Sequence, residues 1–191
     1  RQNGIAFTGP MEDVVDSAGD KRWFRKVAAE VDSSAVTPGI TIDSNDPEEI
    51  LTQIVEGYRE GKFMFPGRLK AANGGGGRGQ VIVESLDQLR KAISEVLGQI
   101  SQNGWADGVM FEQNIPETIH LEVQIMRDRY GNTRNFGMRD CSEQRASQKI
   151  QEEAPPSLLK KYPGMQERIL KLAMMIAEKV GYVGAGTIEL M

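Results

Sequence analysis

Between Lys70 and Gln80 the chain reads Lys-Ala-Ala-Asn-Gly-Gly-Gly-Gly-Arg-Gly-Gln, with strand-like segments on both sides. Five glycines in eleven residues bury nothing and lose the most backbone entropy on ordering, so such a run needs a reason. Bare backbone N–H groups can close around an anion, and that gives one reason. A flexible hairpin tip gives the other, and motif shape alone leaves both open. Residues 74–79 satisfy G-x-G-x-x-G, but a dinucleotide fingerprint needs a helix to begin there. Gln80-Val81-Ile82-Val83-Glu84 is instead β-branched and alternating, so the loop joins two strands. No Gly-Lys-Ser/Thr closes the run, which excludes the mononucleotide P-loop, and the chain has neither the H-R-D nor the D-F-G of a protein kinase. What remains is a strand-loop-strand flap over a phosphate, or the plain hairpin tip.

The chain's 191 residues suffice for one good core or two small lobes. A net charge of −4 offers no basic stripe to replace phosphate counterions, so nucleic acid is not an expected partner and any phosphate site must be local. One cysteine, Cys141, cannot form an internal disulfide, and a reduced, cytoplasmic setting is the expectation. No apolar run approaches the ~20 residues of a membrane span.

Ile5-Ala6-Phe7 reads as a short strand, and Gly19-Asp20-Lys21 opens a helix through Val31 with Trp23, Phe24, Val27, Ala28 and Val31 at helical spacing. Lys21 in its first turn opposes the helix dipole; the residues alone favour plain surface chemistry over a nearby anion. Asp32 to Pro38 reads as a hinge. Asp46-Pro47-Glu48-Glu49 starts a helix to about Tyr58, Phe63 to Ala71 is strand, and Leu86, Leu89, Ile93 and Leu97 mark an amphipathic helix. Val109 to Gln113 is strand. Ile119 to Met126 alternates strictly, and the face carrying His120, Glu122, Gln124 and Met126 is either solvated or the wall of a polar cleft, alternation favouring solvent. A turn at Asp128 to Asn132 leads to a strand from Thr133 to Met138. The polar run from Arg139 to Lys149 fits a surface strand or an active-site segment. A helix from Met165 to Val180 and a strand from Thr187 to Met191 end the chain.

These pieces together resemble the biotin carboxylase subunit or domain of biotin-dependent carboxylases, an ATP-grasp family. The resemblance rests on several stretches that run in family order over nearly the whole chain: Gly19-Asp20-Lys21, Lys70-Ala71 with the flap, Glu112 followed by His120-Leu121-Glu122-Val123-Gln124, Arg139-Asp140-Cys141-Ser142 through Gln144-Arg145, Gln148-Lys149 with Glu152-Glu153-Ala154-Pro155, and Gly184-Ala185-Gly186-Thr187-Ile188-Glu189. It implies an α+β ATP-grasp fold, a small β-α lid lobe plus part of a larger antiparallel-sheet lobe. The implied division is a linker and helix over 1–45, the lid with its flap over 46–113, and the first part of the C-terminal ATP-grasp subdomain over 114–191. By resemblance, Lys21 and Lys70 contact the ATP phosphates and the backbone of Gly76 and Gly77 covers them. Glu112, Gln113 and Ile115 hold the adenine, His120 reaches the ribose or phosphate side, and Gln144 lines the pocket. Lys149 is the catalytic cation near bicarbonate, and Glu189 is a ligand of Mg²⁺ or Mn²⁺. The implied chemistry is phosphorylation of bicarbonate by ATP, then carboxylation of biotin on a carrier. Implied partners are a biotin carboxyl carrier protein or domain and a carboxyltransferase of the acetyl-CoA, acyl-CoA or pyruvate type, and a homo-oligomeric parent is admitted.

Three positions in two stretches depart from the family pattern. Gln113 stands where the family usually has lysine, and Ala146-Ser147 replace an arginine and a histidine. The stretch after Glu189 that supplies a second metal-binding glutamate, a bicarbonate-binding arginine and the catalytic base is also missing, so a fragment unable to complete the reaction alone is expected. The alternatives are another ATP-grasp ligase, such as a carbamoyl-phosphate synthetase or a carboxylase without biotin, and a nucleotide-binding module that has lost catalysis.

Overall fold

Asp46 fixes the first long helix: its carboxylate accepts from the backbone N–H groups of Glu48 at 2.8 Å and Glu49 at 3.0 Å, and Pro47 fills the first helical position. The computed structural model describes residues 4, 7–75, 77–145 and 148–191. Its helices are α1 (Glu12–Gly19), α2 (Lys21–Val31), α3 (Pro47–Arg59), α4 (Leu89–Asn103) and α5 (Met165–Val180). Its strands are β1 (Gly39–Ile42), β2 (Gly67–Ala71), β3 (Gln80–Val83), β4 (Val109–Gln113), β5 (Leu121–Arg127), β6 (Thr133–Asp140), the two-residue β7 (Gln144–Arg145) and β8 (Gln148–Lys149), and β9 (Gly184–Leu190). The expected strand residues Ile5 and Ala6 lie outside the described residues. Two compact units result. One groups Asp20–Arg25 with Ser34–Pro116; the other groups Glu117–Met191 with Lys26–Ser33 and the residues up to Gly19.

The first unit, named the lid unit for the glycine loop that the sequence resemblance leads one to expect as a lid, is an antiparallel sheet in the order β1-β4-β2-β3. Alternation sorts its faces: Leu69 and Ala71 of β2 and Val109 and Phe111 of β4 are buried among Ile50, Ile54, Ile93 and Val96 of α3 and α4. Phe111 sits 4.8 Å from Phe63 and 5.5 Å from Phe65, ring centre to ring centre. Gly67 lets that ring lie flat on β2, because a Cβ there would stand 2.2 Å from it. The opposite face carries Arg68 and Lys70 of β2 and Met110 and Glu112 of β4, since Arg68 pairs with Glu112 and Lys70 with Met110.

In the second unit β6, β5 and β9 form an antiparallel sheet with β5 central, and α5 packs on β5 and β6 through Ala173, Ile176 and Ala177. A bulge between Val123 and Ile125 shifts the β5–β6 register. Asp128 closes the β5–β6 turn, accepting from the N–H groups of Tyr130 and Asn132 at 2.8 and 2.9 Å. Among the described residues no helix is long and apolar enough to cross a membrane.

Candidate functional site

The lid unit concentrates positive charge on the polar face of its sheet. Lys21 and Arg25, one turn apart on α2, share one face of that helix. The Lys21 N–H donates to Ala72 O at 3.2 Å, which ties the start of α2 to the end of β2. Its ammonium donates to the carbonyls of Ala72 and Gly74, at the mouth of the glycine loop. Burial first, and the charge of Lys70 second, pull Lys21 below the ordinary lysine value. The surface reading of Lys21 is therefore corrected: it is a half-buried cation aimed at the loop.

Glu112 is the carboxylate of this cluster. Arg25 Nη1 binds its Oε1 at 2.8 Å, Lys70 Nζ binds its Oε2 at 2.5 Å, and all three side chains are at most 16% exposed. Three cations, Lys21, Arg25 and Lys70, against one anion leave two positive charges in a chain whose net charge is −4. Arg68 stands on the same face, held by the neutral oxygens of Gln80 and Asn114 at 3.3 and 3.0 Å. Such a cluster attracts anions.

The glycine loop joins β2 to β3 as a hairpin, as its sequence requires. Its base is closed by Ala71 N to Gly79 O at 2.7 Å, and the Gly79 N–H donates to Gln99 Oε1 on α4 at 2.7 Å. Gly79 has φ +69°, and a Cβ on it would come 2.5 Å from the Trp105 ring, so both backbone angle and space demand glycine. Gly77 has φ +77°; Gly76 lies outside the described residues. Gln113 accepts from the Met64 N–H at 3.2 Å, an interaction an ammonium could not make, and Ile115 is 44% exposed just beyond β4.

In the second unit the cross-strand register places Glu122 opposite both Arg139 and Glu189. Glu122 is 4% exposed, with Arg139 Nη2 at 2.5 Å and Lys149 also on its carboxylate. Lys149 reaches from β8 to Glu189 Oε1 at 2.5 Å, and Arg139 also binds Glu152. The expectation of a solvated face thus fails at Glu122, which is buried under two cations. Three carboxylates against those two cations leave one negative charge, and Glu189 is the most exposed of the three, its side chain 69% accessible against 40% for Glu152. Residues of the polar run after Arg139 are tied down by hydrogen bonds: Asp140 and Glu153 exchange backbone bonds at 2.9 Å, Cys141 N donates to His120 O at 2.7 Å, and Gln144 Nε2 donates to Cys141 O at 2.9 Å, while Ala146 and Ser147 lie outside the described residues. The His120 N–H donates to Ser142 Oγ at 3.0 Å. Cys141 is fully buried, and desolvation followed by the charge of Glu152 pushes its thiol up.

The structure thus gathers Lys21, Lys70, Gly77, Glu112, Gln113 and Ile115 in the lid unit, and His120, Gln144, Lys149 and Glu189 in the other. Sequence reasoning missed Arg25, Glu122 and Arg139 as members of these clusters. Their signals were present: Arg25 stands four residues after Lys21, and Glu122 alternates against buried neighbours.

Comparison with known proteins decides the family. Residues 20–191 match the family model described as "Carbamoyl-phosphate synthase L chain, ATP binding domain". The chain belongs to this family. As a member of the carbamoyl-phosphate synthase L-chain ATP-binding family, it is 34% identical over 190 residues to biotin carboxylase 1, chloroplastic, of Populus trichocarpa, covering 99% of this chain and 34% of the relative. It is 37% identical over 189 residues to pyruvate carboxylase 1 of Caenorhabditis elegans, covering 97% of this chain and 15% of that protein. Among solved structures, the biotin carboxylase–β,γ-ATP complex of Campylobacter jejuni superposes with a TM-score of 0.86 at 32% identity, covering 98% of this chain and 40% of the other. The biotin carboxylase domain dimer of Hydrogenobacter thermophilus 2-oxoglutarate carboxylase, solved with MgADP, ADP and bicarbonate, gives 0.84 at 34% identity, with the same coverage. This family member is an α+β ATP-grasp domain, as its sequence implied, and spans about a third of the length of the Populus relative.

Proposed function

We propose that this chain is the ATP- and Mg²⁺-binding part of a biotin carboxylase, which uses ATP and bicarbonate to carboxylate biotin on a carrier protein. The observation that carries the reading is the two-charge surplus of Lys21, Arg25 and Lys70 over Glu112, set at the mouth of the glycine loop in an acidic chain. Lys21 and Lys70 take the phosphates by charge-assisted bonds, and the N–H groups of Gly76 and Gly77 cover them. Backbone near Glu112 and Gln113, with the exposed Ile115, takes the adenine; His120 serves the ribose or phosphate side, and Gln144 lines the pocket.

In the second unit Lys149 is the catalytic cation for bicarbonate. Glu189 fits Mg²⁺: it is a hard, exposed oxygen donor in a cluster with one surplus negative charge, and a single carboxylate suits a cation that shares its shell with phosphate oxygens. Glu189 would hold such an ion, which would supply charge neutralisation to a transferring phosphoryl group. Titrations with Mn²⁺ test the same site. A biotin carboxyl carrier protein or domain and a carboxyltransferase are the proposed partners, within a homo-oligomeric parent, and the single buried thiol suits a reducing, cytoplasmic compartment. The test is calorimetric titration of the chain with Mg·ATP beside Lys70→Ala: binding lost in the variant supports the reading, and a folded wild-type chain that binds no Mg·ATP overturns it.

A second reading is a nucleotide-binding module that has lost catalysis. Gln113 favours it, because its amide oxygen serves the Met64 backbone where the family's usual lysine would give the nucleotide site a cation. Restoring lysine at 113 and histidine at 147 in the full-length protein discriminates: a large gain in turnover supports lost catalysis.

A further inference from the structure

Glu112 raises a difficulty for a phosphate site. A carboxylate bonded to Lys70 cancels the charge a phosphate would need, and with both oxygens open it would close on that ammonium. Arg25 prevents this. Its Nη1 takes Oε1 of Glu112 at 2.8 Å, which leaves Oε2 to Lys70. The other end of its guanidinium, Nη2, donates to the Thr37 carbonyl, so Arg25 is itself held from two directions. The guanidinium fork cannot lose its charge and fixes the plane of the carboxylate it binds. Thus one anion is divided between two cations, and the triad keeps one positive charge.

We propose that Arg25 is a positioning residue of the anion site: by holding Oε1 of Glu112 it aims Lys70 through Oε2 while leaving that ammonium open to a phosphate oxygen. The ligand class is a polyphosphate anion, and the inference rests on the nucleotide-site reading above. Removing Arg25 would give the whole carboxylate to Lys70. The site would still carry Lys70, but paired and withheld.

Two measurements on the full chain test this. The first needs no ligand: limited acetylation with acetic anhydride, with the Lys70 peptide quantified by mass spectrometry against the exposed Lys91. In Arg25→Met the Lys70 amine should react roughly three- to tenfold more slowly, the scale of losing one neighbouring cation. Arg25→Lys should restore most of the rate, and Arg25→Met with Glu112→Gln should remove the slowing. A merely structural role predicts the opposite sign, because local loosening exposes Lys70 and speeds acetylation; faster or unchanged labelling overturns the proposal. The second measurement is Mg·ATP titration, where Arg25→Met should weaken binding roughly tenfold, the scale of one charge-assisted interaction, with partial recovery in the double variant. Wild-type binding that is lost in Lys70→Ala but unchanged in Arg25→Met sinks the positioning role and leaves the nucleotide reading standing. A wild-type chain that does not bind Mg·ATP sinks the nucleotide reading, and the acetylation rates then decide the role of Arg25 alone.

Discussion

Each oxygen of Glu112 answers to a different cation, and that division makes the residue sensitive to the kind of change made to it. Truncation in Glu112→Ala leaves Arg25 and Lys70 largely buried and facing each other, which should cost about 3–5 kcal/mol, the range for breaking a buried pair, as read by urea unfolding. Glu112→Gln keeps two polar atoms in place and should cost clearly less. Lys21 gives a prediction in pH. Its value lies below the ordinary 10.5, so in the interval below 10.5 the unfolded chain binds more protons than the folded one. Charged Lys21 therefore weakens the fold at lower pH, the handicap lifts as pH rises through the interval, and stability from this residue increases there. Phosphate binding runs the other way: tripolyphosphate affinity measured by calorimetry should begin to fall before exposed lysines titrate, and Lys21→Gln should lose that early fall. Lys21, Lys70 and Glu112 were legible in the sequence because their motifs carry them. Arg25 carried only the faint signal of its helical spacing from Lys21, because its partner Glu112 is 87 residues away and the two meet only where the start of α2 is tied to the end of β2.

At the scale of single elements, glycine contacts carry the sharpest tests. Gly67→Ala would drive a Cβ to 2.2 Å from Phe111 in a packed aromatic cluster and should cost about 1–3 kcal/mol, the usual penalty of overpacking. An unchanged urea midpoint would mean that the Phe111 ring has room to turn away. In the hairpin loop, Gly79→Ala combines a left-handed φ with a Cβ 2.5 Å from Trp105, and should free the loop base from Gln99. The expected readout is faster hydrogen exchange at residue 79 with little change at α3. Elements with full periodicity were legible: α5 and β4 occupy the stretches their apolar spacing predicted. Other elements were not. β1 has four residues, one of them glycine, and gains its strand character from pairing Ile40 with Phe111; α1 buries no residue, so no apolar stripe announced it. Glu122 shows the limit of alternation, which gives the face of a residue but not what covers that face. Its cover, Lys149, comes from a two-residue strand that no period could reveal.

Across the whole molecule, the distribution of probes makes its two units separately readable. Both tryptophans, Trp23 and Trp105, belong to the lid unit, while Cys141 is buried in the other. Each unit has its own sheet and its own apolar packing, although α2 gives its first five residues to one and the rest to the other. Tryptophan fluorescence during urea unfolding therefore follows the lid unit, and iodoacetamide labelling of Cys141, a thiol raised by burial and inert while folded, follows the second. The cation cluster of Lys21, Arg25 and Lys70 lies wholly in the lid unit. Tripolyphosphate at a hundred times its dissociation constant should then stabilise the fluorescence transition by about 2.7 kcal/mol, because it binds the folded form of that unit alone. The labelling transition should stay where it was. A ligand shift shared equally by both probes would mean that the chain unfolds as one cooperative body, with α2 transmitting the stabilisation. No shift in either would mean that the surplus positive charge does not bind polyphosphate, whatever family the fold belongs to.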